Sequence, residues 1–236
     1  LLWEDDRLVA VRKPAGIHVH PTLFDAGETS LLPLLEEALG QKIYPVHRLD
    51  RPTSGVLIFA KDRAMASFLG TAFRERRVEK VYHLVVRGWM PESVAASPVK
   101  RDRKDPRLLD AETSFVGLEF YEPPWPRREF DTFRFSLVEA RPQTGRHHQI
   151  RQHCDQLRHP ILGDTVWGDT NLNAWFQKQT REAQQPWVGL QLWCRKMVIP
   201  HPDQAMPLVI ESPLSSEEQS LLDWYRRYQV TVSEKA

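Results

Sequence analysis

The segment His47-Arg48-Leu49-Asp50-Arg51-Pro52-Thr53-Ser54-Gly55, running into Val56-Leu57-Ile58-Phe59-Ala60, decides how this chain is read. Pro52 to Gly55 make a turn, and the unbroken apolar run after it has the length and β-branched content of a core strand. Pro45-Val46 before it is a short extended piece, so Asp50 sits on a loop between two strands. Taken alone, an aspartate beside a proline turn is a turn residue that caps backbone N–H groups. Its company is less ordinary. Arg48, Arg51 and, when protonated, His47 place three cations within five positions, and Gly55 permits another backbone to approach closely. A carboxylate among cations stays ionised at neutral pH, which suits a nucleophile or base and not a general acid.

Outward from this loop, strands and helices alternate. Residues 1 to 13 read as two short strands either side of Asp5-Asp6, with Lys13-Pro14-Ala15-Gly16 closing the second. Thr29 to Gly40 offers an N-cap hydroxyl, a helical apolar stripe and a terminal glycine. Met65, Phe68, Leu69, Ala72 and Phe73 predict a helix over 62–77, and Val81 to Val86 predicts a strand carrying Tyr82. Residues 91–129, which include Lys100-Arg101-Asp102-Arg103-Lys104-Asp105, read as basic connections around a short strand at 113–120. Thr132 to Ala140 is a strand with Phe133, Phe135 and Leu137 inward. Helices follow at 146–157, 171–184 and 213–227, with a strand at 190–198. This irregular rhythm, with no repeat or clear linker, predicts one α+β domain over residues 1–236 with a mixed, largely antiparallel sheet.

A second basic cluster, Gly145-Arg146-His147-His148-Gln149-Ile150-Arg151, opens the helix predicted from residue 146. Arg151 lies about one and a half turns beyond Arg146, so the two point in different directions. One suits a phosphate at the helix N-terminus, and the other reaches inward to a carboxylate. The alternative is a solvated basic helix face.

Bulk charge does not announce a nucleic-acid partner, because 32 Lys and Arg balance 31 Asp and Glu for a net charge of +1. Any such partner must be met by local charge. Cys154 and Cys194 are too few for a disulfide framework and have no C-x-x-C spacing, which favours a reducing, cytoplasmic setting. No apolar run reaches the roughly 18 residues of a spanning helix, so no membrane partner is expected.

Together, His47-Arg48-Leu49-Asp50 with Thr53-Ser54-Gly55, Lys80-Val81-Tyr82, and Gly145-Arg146-His147-His148-Gln149-Ile150-Arg151 resemble the RluA-type pseudouridine synthases. The matching segments, extended by Leu157-Arg158-His159-Pro160-Ile161-Leu162-Gly163-Asp164, run in order along nearly the whole chain. The resemblance implies the pseudouridine synthase catalytic fold without an S4 module, no cofactor and no metal, and a monomer acting on RNA. The branch it is most similar to implies tRNA, at uridine 65, with ribosomal RNA or both as the alternative. It implies Asp50 as the catalytic aspartate, Tyr82 as the active-site tyrosine and Arg151 as the basic residue paired with the aspartate. Arg48 is implied to help fill the space left by a flipped base, with His47, Arg51 and Arg146 as further RNA contacts and Ile150 lining the uracil pocket. His147 departs from the family pattern, where Thr, Ser or Lys is usual.

The implied chemistry breaks the bond from N1 to C1′, turns the detached uracil and rejoins it through C5, which requires a dry site. Asp50 is able to add to C1′, add to C6, or take a proton from C2′. Reaching the base requires extrusion supported by phosphate contacts, for which Arg48, Arg51, Arg74, Arg76, Arg77, Lys80 and the basic residues at 100–107 are the local supply. Removing Arg151 is expected here to cost more activity than folding stability. Two other classes fit less well. A metal hydrolase is disfavoured because His147 and His148 would splay about 100° apart on a helix and no H-x-x-x-H with a glutamate occurs. A non-catalytic RNA-binding relative would have no need of Asp50, Tyr82 and Arg151 together.

Overall fold

The computed structural model describes residues 1–21, 29–101, 105 and 107–231. Its elements, in chain order, begin with β1 (Trp3–Glu4), β2 (Leu8–Lys13), α1 (Leu31–Leu39), β3 (Tyr44–Pro45), β4 (Ser54–Ala60), α2 (Arg63–Arg74) and β5 (Glu79–Arg87). There follow β6 (Ser93–Ala95), β7 (Val99–Lys100), β8 (Leu108–Leu109), β9 (Thr113–Tyr121), β10 (Phe135–Pro142) and α3 (Gln149–Gln156). The chain continues through α4 (Thr170–Glu182), β11 (Leu192–Ile199), β12 (Leu208–Glu211), α5 (Ser216–Arg226) and β13 (Gln229–Val230). These gather into two compact units, Leu1–Val81 with Trp193–Pro213, and Tyr82–Leu192 with Leu214–Ala236.

In the first unit β4 is buried along its whole length, as its unbroken apolar sequence requires. β2 runs antiparallel to it from Leu8 opposite Ala60 to Lys13 opposite Gly55, and β11 lies parallel on its other edge, with Trp193 opposite Ser54 and Cys194 opposite Gly55. Gly55 has φ +117°, and a Cβ there would stand 2.1 Å from the Cys194 carbonyl oxygen, so only glycine lets the two strands meet. The close approach read from the sequence is therefore to a strand of the same chain. α2, capped by Asp62 accepting from the Met65 N–H at 2.8 Å, packs its Met65, Leu69 and Ala72 face on β4. α1 ends at Gly40 in the left-handed conformation as predicted, but its N-cap Ser30 makes no side-chain cap bond.

In the second unit β10 is flanked antiparallel by β5 and β9, with a bulge between Leu137 and Val138. One buried cluster joins Leu84, Val86, Phe115, Val138 and Ala140 from the strands to Ile150 and Cys154 of α3. A separate aromatic cluster gathers Tyr121, Phe133, Phe135, Phe176 and Tyr225, with the Phe135 and Tyr225 rings 4.8 Å apart. Among the described residues β2 with β4, and β10 with β5 and β9, pair antiparallel while β4 with β11 pairs parallel, so the mixed, largely antiparallel α+β reading holds.

Three local expectations change. The segment 91–129 is more ordered than its composition suggested. β6 pairs with the start of β9, and β7 pairs with β8 as a ribbon. Of the basic run there, residues 102–104 and 106 lie outside the described residues. The strand predicted from Thr132 starts at Phe135, because Thr132 and Phe133 are tied instead to Glu122 and Pro123. The helix predicted from Arg146 starts at Gln149. Gln149 Oε1 accepts from both Thr144 Oγ1 (2.6 Å) and the Arg146 N–H (3.0 Å), which holds residues 144–148 as a turn outside the helix. His148, at φ +52°, occupies the N-cap in a left-handed conformation. His147 and His148 thus stack at 3.7 Å between ring centroids and do not splay along a helix.

Candidate active site

The Asp50 turn is held by backbone on both sides. The Asp50 carbonyl accepts from the Thr53 N–H at 3.0 Å, closing the turn. The Arg51 carbonyl accepts from the Gly16 N–H at 2.8 Å, and Arg51 Nε donates to the Gly16 carbonyl at 3.0 Å. Beneath this junction lies Lys13, 0% exposed, whose Nζ donates to the carbonyls of Pro14 (2.9 Å), Ile17 (2.9 Å) and Arg51 (3.0 Å). Three carbonyls satisfy the three donors of an ammonium, so one buried cation staples two loops together. Loss of hydration pushes the Lys13 pKa down to about 8, opposed by the nearby Asp50 charge. Sequence reading treated Lys13 only as the end of a strand. The available signal was period two, since Lys13 shares a face of β2 with the buried Val9 and Val11.

His47 is not one of the cations around Asp50. Its Nε2 accepts the Ile58 N–H at 3.0 Å, and its ring stacks on Phe73 at 5.2 Å. The imidazole takes up a backbone donor of β4 just beyond the point where β3 stops pairing, after Pro45 opposite Phe59. An acceptor nitrogen carries no proton, and loss of hydration together with the Lys80 charge lowers the His47 pKa to about 3. Its observed contacts are those of a strand-supporting residue. The unfolded chain binds a proton near pH 6.5 that the native His47 refuses, so stability falls as pH drops below 6.5, by up to about 2 kcal/mol at pH 5. His47→Gln keeps an acceptor for Ile58, and denaturant melts between pH 7 and pH 5 are expected to show that much less loss than the parent.

Arg48 is exposed, and no ion pair engages it among the described residues. Other cations read as RNA contacts are partly committed. Arg77 pairs with Glu75 at 2.8 Å, and Arg107 and Arg101 reach Asp105 at 2.6 Å and 3.7 Å. Lys80 is desolvated, with its pKa lowered to about 8.

In the second unit, Tyr82 stands on β5 opposite Ala140 and is half-buried against the cluster that contains Ile150. Ile150 is a buried core residue of that cluster. Arg146 is exposed, and its Nε donates to the Asp110 carbonyl at 3.1 Å. Arg151 turns inward as expected and is 3% exposed, forking onto a carboxylate that sequence reading gave no role. Its Nε donates to Asp164 Oδ2 at 2.7 Å and its Nη2 to Oδ1 at 2.8 Å. Asp164, 1% exposed at its side chain, also accepts the N–H groups of Val166 (2.8 Å) and Trp167 (2.9 Å) through Oδ1. Burial works to raise its pKa, and the Arg151 fork with the two N–H groups outweighs that and keeps it below the usual carboxylate range. This geometry adds a stability cost to the loss expected in activity, because without Arg151 the buried Asp164 would lose its cationic partner.

α3 itself is fixed by a closed polar network. Gln149 Nε2 donates to the Glu112 carbonyl (2.9 Å) and Thr113 Oγ1 (3.0 Å), and His153 bridges Thr113 Oγ1 (2.9 Å) and the Ser97 carbonyl (3.0 Å). Such satisfied networks rigidify the element that carries them. Among the described residues no three His, Cys, Asp or Glu side chains gather as a metal site, and no helix is long and apolar enough to cross a membrane.

A profile of the RNA pseudouridylate synthase family matches residues 7–156 of this α+β chain. The chain belongs to that family, as an RluA-type pseudouridine synthase. Among its relatives, tRNA pseudouridine synthase C of Vibrio cholerae is 39% identical over 233 residues, covering 94% of this chain and 93% of that protein. The tRNA pseudouridine synthase C of Pasteurella multocida is 36% identical over 240 residues, with 95% and 96% covered. Human RNA pseudouridylate synthase domain containing 4 superposes with a TM-score of 0.70 at 25% identity, over 95% of this chain and 92% of that one.

Proposed function

We propose that this pseudouridine synthase acts on tRNA, at uridine 65, with Asp50 as its essential carboxylate and Tyr82 and Arg151 as the other residues the reaction requires. The observation that carries the role of Asp50 is the clamped turn. Its carbonyl closes the turn at Thr53, and the next residue is fixed by Gly16 and by the buried Lys13 ammonium. A group that must act on a sugar or base without water needs this immobility, because a misplaced nucleophile forfeits most of the gain from proximity. Support for tRNA comes from relatives named for it that align along nearly their whole length. The exposure of Arg48 and Arg51 supports a role for this turn in meeting the RNA as the uridine leaves its stack.

Forming the new bond at C5 expels the hydrogen there. Unmodified tRNA carrying 5-tritiated uridine is therefore expected to release tritium to solvent on incubation with the protein alone, and mapping of the product is expected to place pseudouridine at position 65. Release from ribosomal RNA but not from tRNA would overturn the substrate assignment. Release with modification elsewhere in tRNA would overturn only the position.

A further inference from the structure

The second unit contains a cleft of about 540 Å³ lined by Arg87, Gly88, Asp155, Arg158, His159 and Asp169, among others. Its arginines are under-compensated. Neither Arg87 nor Arg158 has an ion pair or side-chain hydrogen bond among the described residues, and both are exposed. Close by, Arg127 meets Asp169 at 3.7 Å and feels the like charges of Arg87 and Arg128. The carboxylates lining the cleft are Asp155 and Asp169, the latter already capping the Leu172 N–H at 2.9 Å. His159 donates from Nδ1 to the Arg87 carbonyl at 2.7 Å, since a carbonyl only accepts, which leaves Nε2 unengaged among the described residues.

Arg158 is also an unusual choice for its position. The Arg158 N–H bonds to the Asp155 carbonyl at 3.0 Å and the His159 N–H to that of Cys154 at 2.9 Å, closing α3 with a Schellman motif. Arg158 fills its left-handed residue at φ +64°, where glycine is favoured and a side chain costs about 1 kcal/mol.

We propose that this cleft is a second contact for the substrate RNA, with Arg87 and Arg158 each holding a backbone phosphate; the proposal rests on the pseudouridine synthase reading above. Bidentate recognition of phosphate is what unpaired guanidinium groups supply, and the volume suits a nucleotide-sized group. Arg87 stands five residues along β5 from Tyr82, roughly 17 Å away and with its Cβ on the opposite strand face. The phosphates held here therefore belong to a part of the RNA remote from the reacting uridine, and the contact secures a folded RNA rather than the base.

The test is the double variant Arg87→Gln/Arg158→Gln, assayed for binding of unmodified full-length tRNA and for tritium release. The dissociation constant is expected to rise roughly tenfold near 0.1 M salt, and the slope of log K against log salt to fall by about 1 to 2. The kcat at saturating tRNA should match the parent, and a short stem-loop trimmed around the target uridine should bind both proteins alike. Should the double variant melt abnormally, Asp155→Asn decides, since removing the competing carboxylate is expected to tighten tRNA binding severalfold. Unchanged binding and slope in a parent-like fold, with a parent that modifies RNA, would overturn the cleft and leave the family reading standing. A parent that binds no RNA would remove both.

Discussion

Asp50→Ala is expected to reduce pseudouridine formation by at least about 10⁴-fold, an increase of more than about 5 kcal/mol in the barrier, while leaving the fold intact. Both halves come from the geometry of the turn. Residues 50–53 are held by the Thr53 to Asp50 bond, the bonds between Gly16 and Arg51 and the Lys13 ammonium on its three carbonyls, and none of these bonds uses the Asp50 side chain. The side chain favours the charge on Lys13, and the expected cost of its removal to folding is on the order of 1 kcal/mol. A carboxylate whose loss hardly disturbs folding but abolishes turnover acts on substrate. Single-turnover tritium release together with thermal melting measures both quantities. Activity within tenfold of the parent in Asp50→Ala would assign the chemistry to another residue, and Asp50→Asn separates charge from shape because the amide fills the same space.

What the sequence made legible depended on how local the cause was. The strand after Asp50 was readable because a run buried on both faces is apolar throughout, and the helix over Arg63–Arg74 because its stripe and Asp62 cap are contiguous. Gly55 was recognised as a point of close approach, yet the partner, Cys194, is 139 positions away (194 minus 55) and no local pattern names it. The error at Arg146 has a specific origin. Gln149, read as an ordinary helix residue, folds its amide back onto Thr144 and Arg146 and postpones the helix by three positions (149 minus 146). His47 was counted as a cation because it stands next to arginines in the sequence, whereas its ring is turned onto β4. The family motifs point to Asp50, Tyr82 and Arg151, contain Asp164 without giving it a role and do not reach Lys13, because the roles of Lys13 and Asp164 arise only when buried charges must find partners.

Arg151→Met and Asp164→Asn are each expected to destabilise the protein by about 3–5 kcal/mol, lowering the melting temperature by roughly 10 °C, because each strands a buried group. The two losses are not symmetric. Asp164 receives four bonds, two from Arg151 and one each from the N–H groups of Val166 and Trp167. Its asparagine still accepts the two backbone bonds but withdraws the negative charge facing the guanidinium, whereas Arg151→Met withdraws both guanidinium bonds and leaves the anion with the Val166 and Trp167 N–H groups. Combining the substitutions removes both charges and keeps the amide oxygen for Val166 and Trp167, so the double variant should regain more than half of the lost stability. The folded Asp164 pKa is depressed, so the pair's contribution is complete above the unfolded value near 4 and is lost as pH falls below it. The parent should therefore converge on the double variant in acid. Activity distinguishes the two roles open to Arg151. Recovery of turnover with stability in the double variant would make the arginine a structural partner of Asp164 and nothing more. The expected result, a refolded protein still at least about a hundredfold slower than the parent, would require its charge in the reaction itself.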